Sequence, residues 1–229
     1  MKTNVCYQGD CLEVMKDIPD KSIDMILTDP PYRVISGGSK EFGGFRASCL
    51  DTENKGKIFK HNDILISEWL PEVKRVMKDN SQGYIFINQL NLRDYLNELE
   101  KNDLYVHRVL VWDKMISTWT RFYMKQYEFV IFFKKGNAKS INKQGTPDIL
   151  RVKNPRNKLH PTEKPIELLQ VFVENSSNEN DTILDPFAGS GTTGVACKNL
   201  NRNFILIEKD EKYCEIIKER VGCEIIKVL

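Results

Sequence analysis

Thr182-Ile183-Leu184-Asp185-Pro186-Phe187-Ala188-Gly189-Ser190-Gly191-Thr192-Thr193 reads as a short buried strand, a glycine-bearing turn and the opening of a helix. Glycine lets a backbone approach a ligand closely, and a helix N-terminus offers unpaired N–H groups at the positive end of its dipole. The next strand, Asn203 to Ile207, ends at Glu208, nineteen residues after Gly189. An acid at the tip of the neighbouring strand is placed to hold ribose hydroxyls. A tight turn that needs glycine only for packing accounts for the glycines but not for Glu208. Gly189, Gly191 and Gly194 also have the G-x-G-x-x-G spacing of a dinucleotide site. The leading Asp185-Pro186-Phe187-Ala188 has no place in that fingerprint, and no hydride-transfer site is visible elsewhere.

Outward from this stretch, strand and helix patterns alternate. Strands are expected at Val5 to Gln8, Ser22 to Thr28, Gly83 to Ile87, Tyr105 to Trp112 and Tyr127 to Phe133. The last is apolar except for Glu128. Helices are expected from Cys11 to Asp17, from an Asn62 cap to Met77, at Asn91 to Lys101, Pro165 to Asn175, Ser190 to Leu200 and Asp210 to Val221. Such alternation argues for a mostly parallel sheet covered on both faces. With 229 residues and 41% hydrophobic content, one α/β domain is expected, with little left for a second module. No stretch approaches the apolar length of a membrane span, and Met1-Lys2-Thr3-Asn4 has no signal-peptide apolar region, so a soluble cytoplasmic protein is expected. Six scattered cysteines without a C-x-x-C pair point to reduced, packed thiols, with no metal site and no disulfide framework.

A second stretch carries chemistry. The apolar run from Ile23 to Thr28 ends in Asp29-Pro30-Pro31-Tyr32. A carboxylate, a proline-stiffened carbonyl and an aromatic ring around one small space suit a planar base with an exocyclic amine. Acceptors at Asp29 and the Pro30 carbonyl would turn the amine's lone pair out of the ring plane, and the two prolines keep those acceptors aimed. Tyr32 can stack on the base. A strand-terminating proline turn explains Pro30 and Pro31, but neither the acid before them nor the aromatic after them.

With both stretches in hand, the chain resembles the DNA amino-methyltransferases, and the order of its motifs resembles their beta group. Gln8-Gly9-Asp10-Cys11, His160-Pro161-Thr162-Glu163-Lys164-Pro165, Tyr127-Glu128 and Ile207-Glu208 extend the likeness. The resemblance implies a single-domain α/β fold: a mostly parallel, seven-stranded, Rossmann-like methyltransferase sheet, circularly permuted. Its catalytic half is 1–135, a basic loop 136–158 follows, and the cofactor half is 159–229. It implies S-adenosylmethionine as cofactor, with Asp10, Thr162, Lys164, the turn Asp185 to Thr192 and Glu208 around it. Thr162 and Lys164 would face its methionine end. It further implies direct methyl transfer to a flipped base in DNA, with Asp29 favouring adenine N6 over cytosine N4. A protein amide, an RNA base and a non-catalytic partner subunit are the other readings. A homodimer is compatible with the small target-recognition portion, and a cognate restriction nuclease is left open.

DNA contacts have two candidate sources. Net charge is only +2, yet the strip from Lys134 to Lys158 carries +7, leaving −5 for the rest. Lys139, Lys143 and Lys153 are its candidate phosphate ligands, though an ordinary solvated loop explains the charge equally well. The glycine-rich loop with Arg33 and Arg46, and the segment Trp112 to Tyr127 with Arg121, mix cations with aromatics as base and phosphate contacts do.

Overall fold

The computed structural model describes residues 1–31, 64–119, 121–155 and 163–228. Tyr32, Arg33, Arg46, Asn62, His160 and Thr162 lie outside the described residues. Nine strands form one sheet: β1 (Val5–Gln8), β2 (Ile23–Thr28), β3 (Met77–Ile87), β4 (Leu104–Thr118), β5 (Lys125–Lys135), β6 (Ile149–Arg151), β7 (Thr182–Asp185), β8 (Asn203–Glu208) and β9 (Glu224–Lys227). Their spatial order is β6-β4-β5-β3-β2-β7-β8-β1-β9. Only β3–β5 and β4–β5 pair antiparallel; the other pairings are parallel. The expected seven strands form the body of this sheet, and the short β6 and β9 widen it to nine.

Among the described residues six helices cover it: α1 (Cys11–Lys16), α2 (Ile66–Val76), α3 (Leu92–Lys101), α4 (Ile166–Ser176), α5 (Thr192–Asn199) and α6 (Glu211–Val221). A strand buried on both sides sends successive side chains to opposite faces. In β8, Ile205 and Ile207 join a core with Val14, Trp69, Val73 and Leu99 of α1 to α3. Phe204 and Leu206 join the other core, with Leu169, Phe172, Ala196 and Ile217 of α4 to α6. Local chemistry sets the helix ends. Glu68 accepts a hydrogen bond from the Leu65 amide at the start of α2. Asp210 caps α6, and Gly222 ends it in the left-handed conformation.

Several boundaries differ from the sequence reading. β3 begins at Met77 rather than Gly83 because its polar residues 78–81 form a bulge, with Asn80 at φ 62, between the Ile23↔Met77 and Met25↔Gln82 pairings. β4 and β5 run longer than expected and project as a ribbon whose tip carries exposed Trp119, Phe122 and Tyr123.

Strand order reverses at the β2–β7 pair, since β2 leads outward to β3 and β7 leads outward to β8. In open α/β sheets the crevice at the carboxyl ends of such a pair is where ligands lie. The residues there are Thr28 and Asp29 of one motif and Asp185 of the other. Among the described residues, no helix is long and apolar enough to cross a membrane, and no cluster of three or more His, Cys, Asp or Glu is placed to hold a metal. Cys6, Cys11, Cys197, Cys214 and Cys223 are free thiols.

Candidate active site

Asp185 joins the two motifs. Its Oδ1 accepts from the Thr28 hydroxyl at 2.8 Å and from the Phe187 amide at 3.1 Å, and its Oδ2 accepts from the Thr193 hydroxyl at 2.6 Å. Burial pushes its carboxyl up to about 6, against the downward pull of these donors. Asp185 therefore organises the turn, holding the end of β2, the turn backbone and the first turn of α5 together. Pro186 and Ala188 are buried beside it, and Phe187 meets Trp69 edge-on at 5.4 Å.

The turn then bends through two left-handed glycines, Gly189 at φ 53 and Gly191 at φ 77. A Cβ on Gly191 would also approach Ile217 to 2.9 Å. Glu208, at the tip of β8, accepts from the Gly189 amide at 2.8 Å and from the Asp210 amide at 2.9 Å. Burial lifts its carboxyl to about 7. At the neighbouring strand tip Asp10 caps α1 through the Leu12 amide and pairs with Lys209 at 2.9 Å. Asp10, Gly189 and Glu208 thus share one rim of the sheet.

The catalytic end is organised by charge. Asp29 and Lys164 form a short ion pair through Oδ2. The Lys164 side chain is only 6% exposed, lies 3.6 Å from the Glu128 carboxylate, and sits 5.0 Å over the Phe86 ring. Glu128 is also 3.4 Å from Lys114. Four alternating charges, Asp29, Lys164, Glu128 and Lys114, therefore line up beneath the pocket. Asp29 Oδ1 is buried and has no hydrogen-bond partner among the described residues. One pocket lies against Asp29, Lys164, Asp185, Phe187, Gly189 and Thr193 and connects the two motifs.

Sequence reasoning missed three members of this site. Glu128 had a signal, as the one acid in an apolar strand. Glu163 stood within the His160-to-Pro165 motif but was given no role, and Arg220 had no signal: Arg220 reaches from the end of α6 to Glu163 at 2.6 Å, to Ser190 Oγ at 3.0 Å and to Thr192 Oγ1 at 3.2 Å. Ser190 and Thr192 thereby face Arg220.

The expected DNA ligands separate. Arg121 is exposed at the ribbon tip, at the carboxyl end of β4. Lys153 follows β6, next to Val152, whose carbonyl accepts from Trp112 at 2.8 Å, and lines a hollow with Glu163 and Lys164. Lys139 and Lys143 lie at the opposite end of the sheet. The Lys139 carbonyl accepts from Gln82 just after the bulge of β3, and Lys143 pairs with Glu174 in the last turn of α4.

A glycine turn and a buried carboxylate thus meet at the switch point of an α/β sheet, where ligands of such folds lie. Residues 23–219 match the family model of N6- and N4-specific DNA methylases, and the chain belongs to that family. It is an S-adenosylmethionine-dependent DNA methyltransferase. It is 31% identical to the type II methyltransferase M2.MboI of Moraxella bovis, over 93% of this chain and 86% of that one. It is 30% identical to M.HinfI of Haemophilus influenzae, over 95% and 68%. The M1.HpyAVI–SAM complex superposes with a TM-score of 0.73 at 29% identity, covering 94% of this chain and 98% of that one. The cytosine-N4-specific PvuII methyltransferase shares the fold, with a TM-score of 0.71 at 16% identity over 99% and 95%. The residues present suit the cofactor: two left-handed glycines open the turn, and carboxylates at Glu208 and Asp10 face its rim.

The Thr28–Asp185 bond carries a prediction. Thr28→Val keeps the shape but deprives a buried carboxylate of one donor, so unfolding free energy should drop by about 1.5–3 kcal/mol, with Thr28→Ser close to the parent. Urea unfolding measures it, and a valine variant as stable as the parent would remove Asp185 from the centre of the site.

Proposed function

We propose that the chain methylates the exocyclic N6 amine of adenine in DNA, with Asp29 Oδ1 and the Pro30 carbonyl as acceptors for the two amine hydrogens. The single observation that supports it most is the buried, unpartnered Oδ1 at the pocket shared with the Gly189 turn. Accepting hydrogen bonds from both amine hydrogens draws the nitrogen lone pair out of conjugation, and Pro31 stiffens the backbone that aims the acceptors. Tyr32 is assigned to stacking on the flipped base, which offsets part of an unstacking cost of a few kcal/mol. The chemistry the cofactor supplies is an electrophilic sulfonium methyl. Positioning and electrostatics do the rest, so no covalent enzyme intermediate is required.

Glu208 and Asp10 are assigned to the nucleoside end of the cofactor, and the turn from Pro186 to Thr192 to its approach, with Thr162 beside its methionine end. The permuted order of the two halves and a homodimer belong to the same reading, which accommodates a cognate restriction nuclease or none. DNA lies on the carboxyl-end rim, touched by Arg121 and Lys153, with Arg33 and Arg46 from the glycine-rich loop. Because Lys139 and Lys143 are anchored at the far end of the sheet, the expectation for the basic strip narrows to the Lys153 end.

Asp29→Ala should lower methyl transfer by about 100-fold or more while cofactor affinity stays near the parent value. Nucleoside analysis of treated DNA should show N6-methyladenine; N4-methylcytosine would overturn the choice of base, and an active Asp29→Ala the mechanism. Cofactor affinity should depend on pH through Glu208. Only the ionised carboxylate accepts from both ribose hydroxyls, and burial holds that group at about 7. Binding measured by calorimetry should weaken as pH falls through that value, and Glu208→Gln should bind weakly with no such dependence. DNA affinity against salt sorts the surface. Neutralising Arg121 and Lys153 should flatten the log–log slope by about 0.9 for each phosphate that is no longer paired with a cation. Neutralising Lys139 and Lys143 should leave it unchanged; the opposite pattern would place DNA on the other end.

A further inference from the structure

The ion pair beneath the pocket goes beyond the assignment of Asp29, on which this inference rests. A carboxylate has two oxygens, and in this site they are not equivalent. Oδ2 is taken by Lys164, whereas Oδ1 is buried and has no hydrogen-bond partner among the described residues. Lys164 is itself held from several sides. Glu128 stands 3.6 Å from its ammonium, the Phe86 ring lies 5.0 Å away, and Pro165 follows it as the N-cap of α4. The preceding residue, Glu163, is clasped by Arg220 of α6 at 2.6 Å. The segment 163–165 is thus tied to the cofactor turn through Arg220 and to the catalytic strand through Lys164.

We propose that Lys164, braced by Glu128, is a positioning residue for methyl transfer: it occupies Oδ2 of Asp29, so that the carboxylate offers Oδ1 alone to the target amine. This differs from the role expected of Lys164 by resemblance, at the methionine end of the cofactor.

The charges around the pair support that role. Burial pushes the Asp29 carboxyl upward, Lys164 pulls it down, and Glu128 pushes it up again. The other described groups facing it are Lys114 from β4, Asp185 from β7 and Tyr95 from α3. Lys114 pulls in the same direction as Lys164, but it comes after Lys164 in effect. Burial also opposes charge on Lys164, yet Asp29 and Glu128 outweigh it and hold its ammonium above the usual range. Removing the ammonium leaves burial and Glu128 pushing Asp29 upward against the weaker pull of Lys114. A protonated Asp29 would place a donor where the amine needs an acceptor, and nothing would then fix the rotation of the side chain.

The test compares Lys164→Met, Lys164→Arg and Asp29→Asn. Cofactor affinity is measured by calorimetry, and single-turnover methylation is followed against pH at saturating cofactor and DNA. Lys164→Met should bind cofactor like the parent. Its kcat should fall by about 100-fold, the scale of a displacement of order 1 Å at the reacting group, and the acid limb of its pH profile should move to higher pH. Lys164→Arg keeps the charge with a different reach, so its kcat should fall while the acid limb stays in place. If Lys164→Met does not fold, the arginine variant carries the test. Weakened cofactor binding with parental kcat and acid limb, in either variant, would overturn the proposal and make Lys164 a cofactor contact. Asp29→Asn separates the two readings. An active Asp29→Asn defeats the assignment of Asp29 itself, whereas an inactive one beside a fully active Lys164→Met defeats only the role of Lys164.

Discussion

Asp185 receives two threonine hydroxyls and one amide, and these three donors come from separate pieces of the chain. Thr28 ends the strand that leads into Asp29, Phe187 belongs to the turn, and Thr193 lies in the first turn of α5. Holding a buried carboxylate away from water is costly unless such donors surround it. The three contacts therefore fix the spacing between the end of β2, with Asp29 after it, and the Gly189 turn. Rotating α5 or sliding β2 would strand a carboxylate oxygen in the core. This is why the two motifs, more than 150 residues apart, act as one site.

Around that joint the molecule uses charge differently on its two sides. On the cofactor side, Glu208 is satisfied by backbone amides, and Arg220 ties Ser190 and Thr192 to Glu163. On the catalytic side, ammonium and carboxylate groups alternate and leave one acceptor over. A buried pair of this sort is weak as a source of stability, since desolvation offsets much of the attraction. Its value here lies in orientation.

Much of this could be read before any coordinates. Alternation of strand and helix patterns indicated a parallel sheet, and the strand–turn–helix with a following acid located the rim. Those signals survive because they are local: a buried strand is an apolar run, and a left-handed turn asks for glycine. What was illegible depended on distant partners. β6 and β9 are three and four residues long and exist because a neighbouring edge was available. The polar residues 78–81 hid the start of β3 as a bulge. The pairing of Lys164 with Asp29 was hidden because its position in a motif does not reveal Glu128 across the sheet, and Arg220 sits in an ordinary amphipathic helix. The basic strip looked uniform in sequence, but β6 carries its later part toward the carboxyl end while Gln82 and Glu174 hold its earlier part at the other.

The position of β1 has a consequence for synthesis on the ribosome. Residues 5–8 sit between β8 and β9, paired with residues 205–208 on one side and 224–227 on the other. Both partners are translated some two hundred residues later. The β4–β5 ribbon, by contrast, joins neighbours in the chain and can form as it emerges, because loop closure over short separations comes early. Until residues 203–208 leave the exit tunnel, Val5, Cys6 and Tyr7 have no edge to join. An apolar strand is then exposed for most of translation, and β9 can add to the sheet only once β1 is in place.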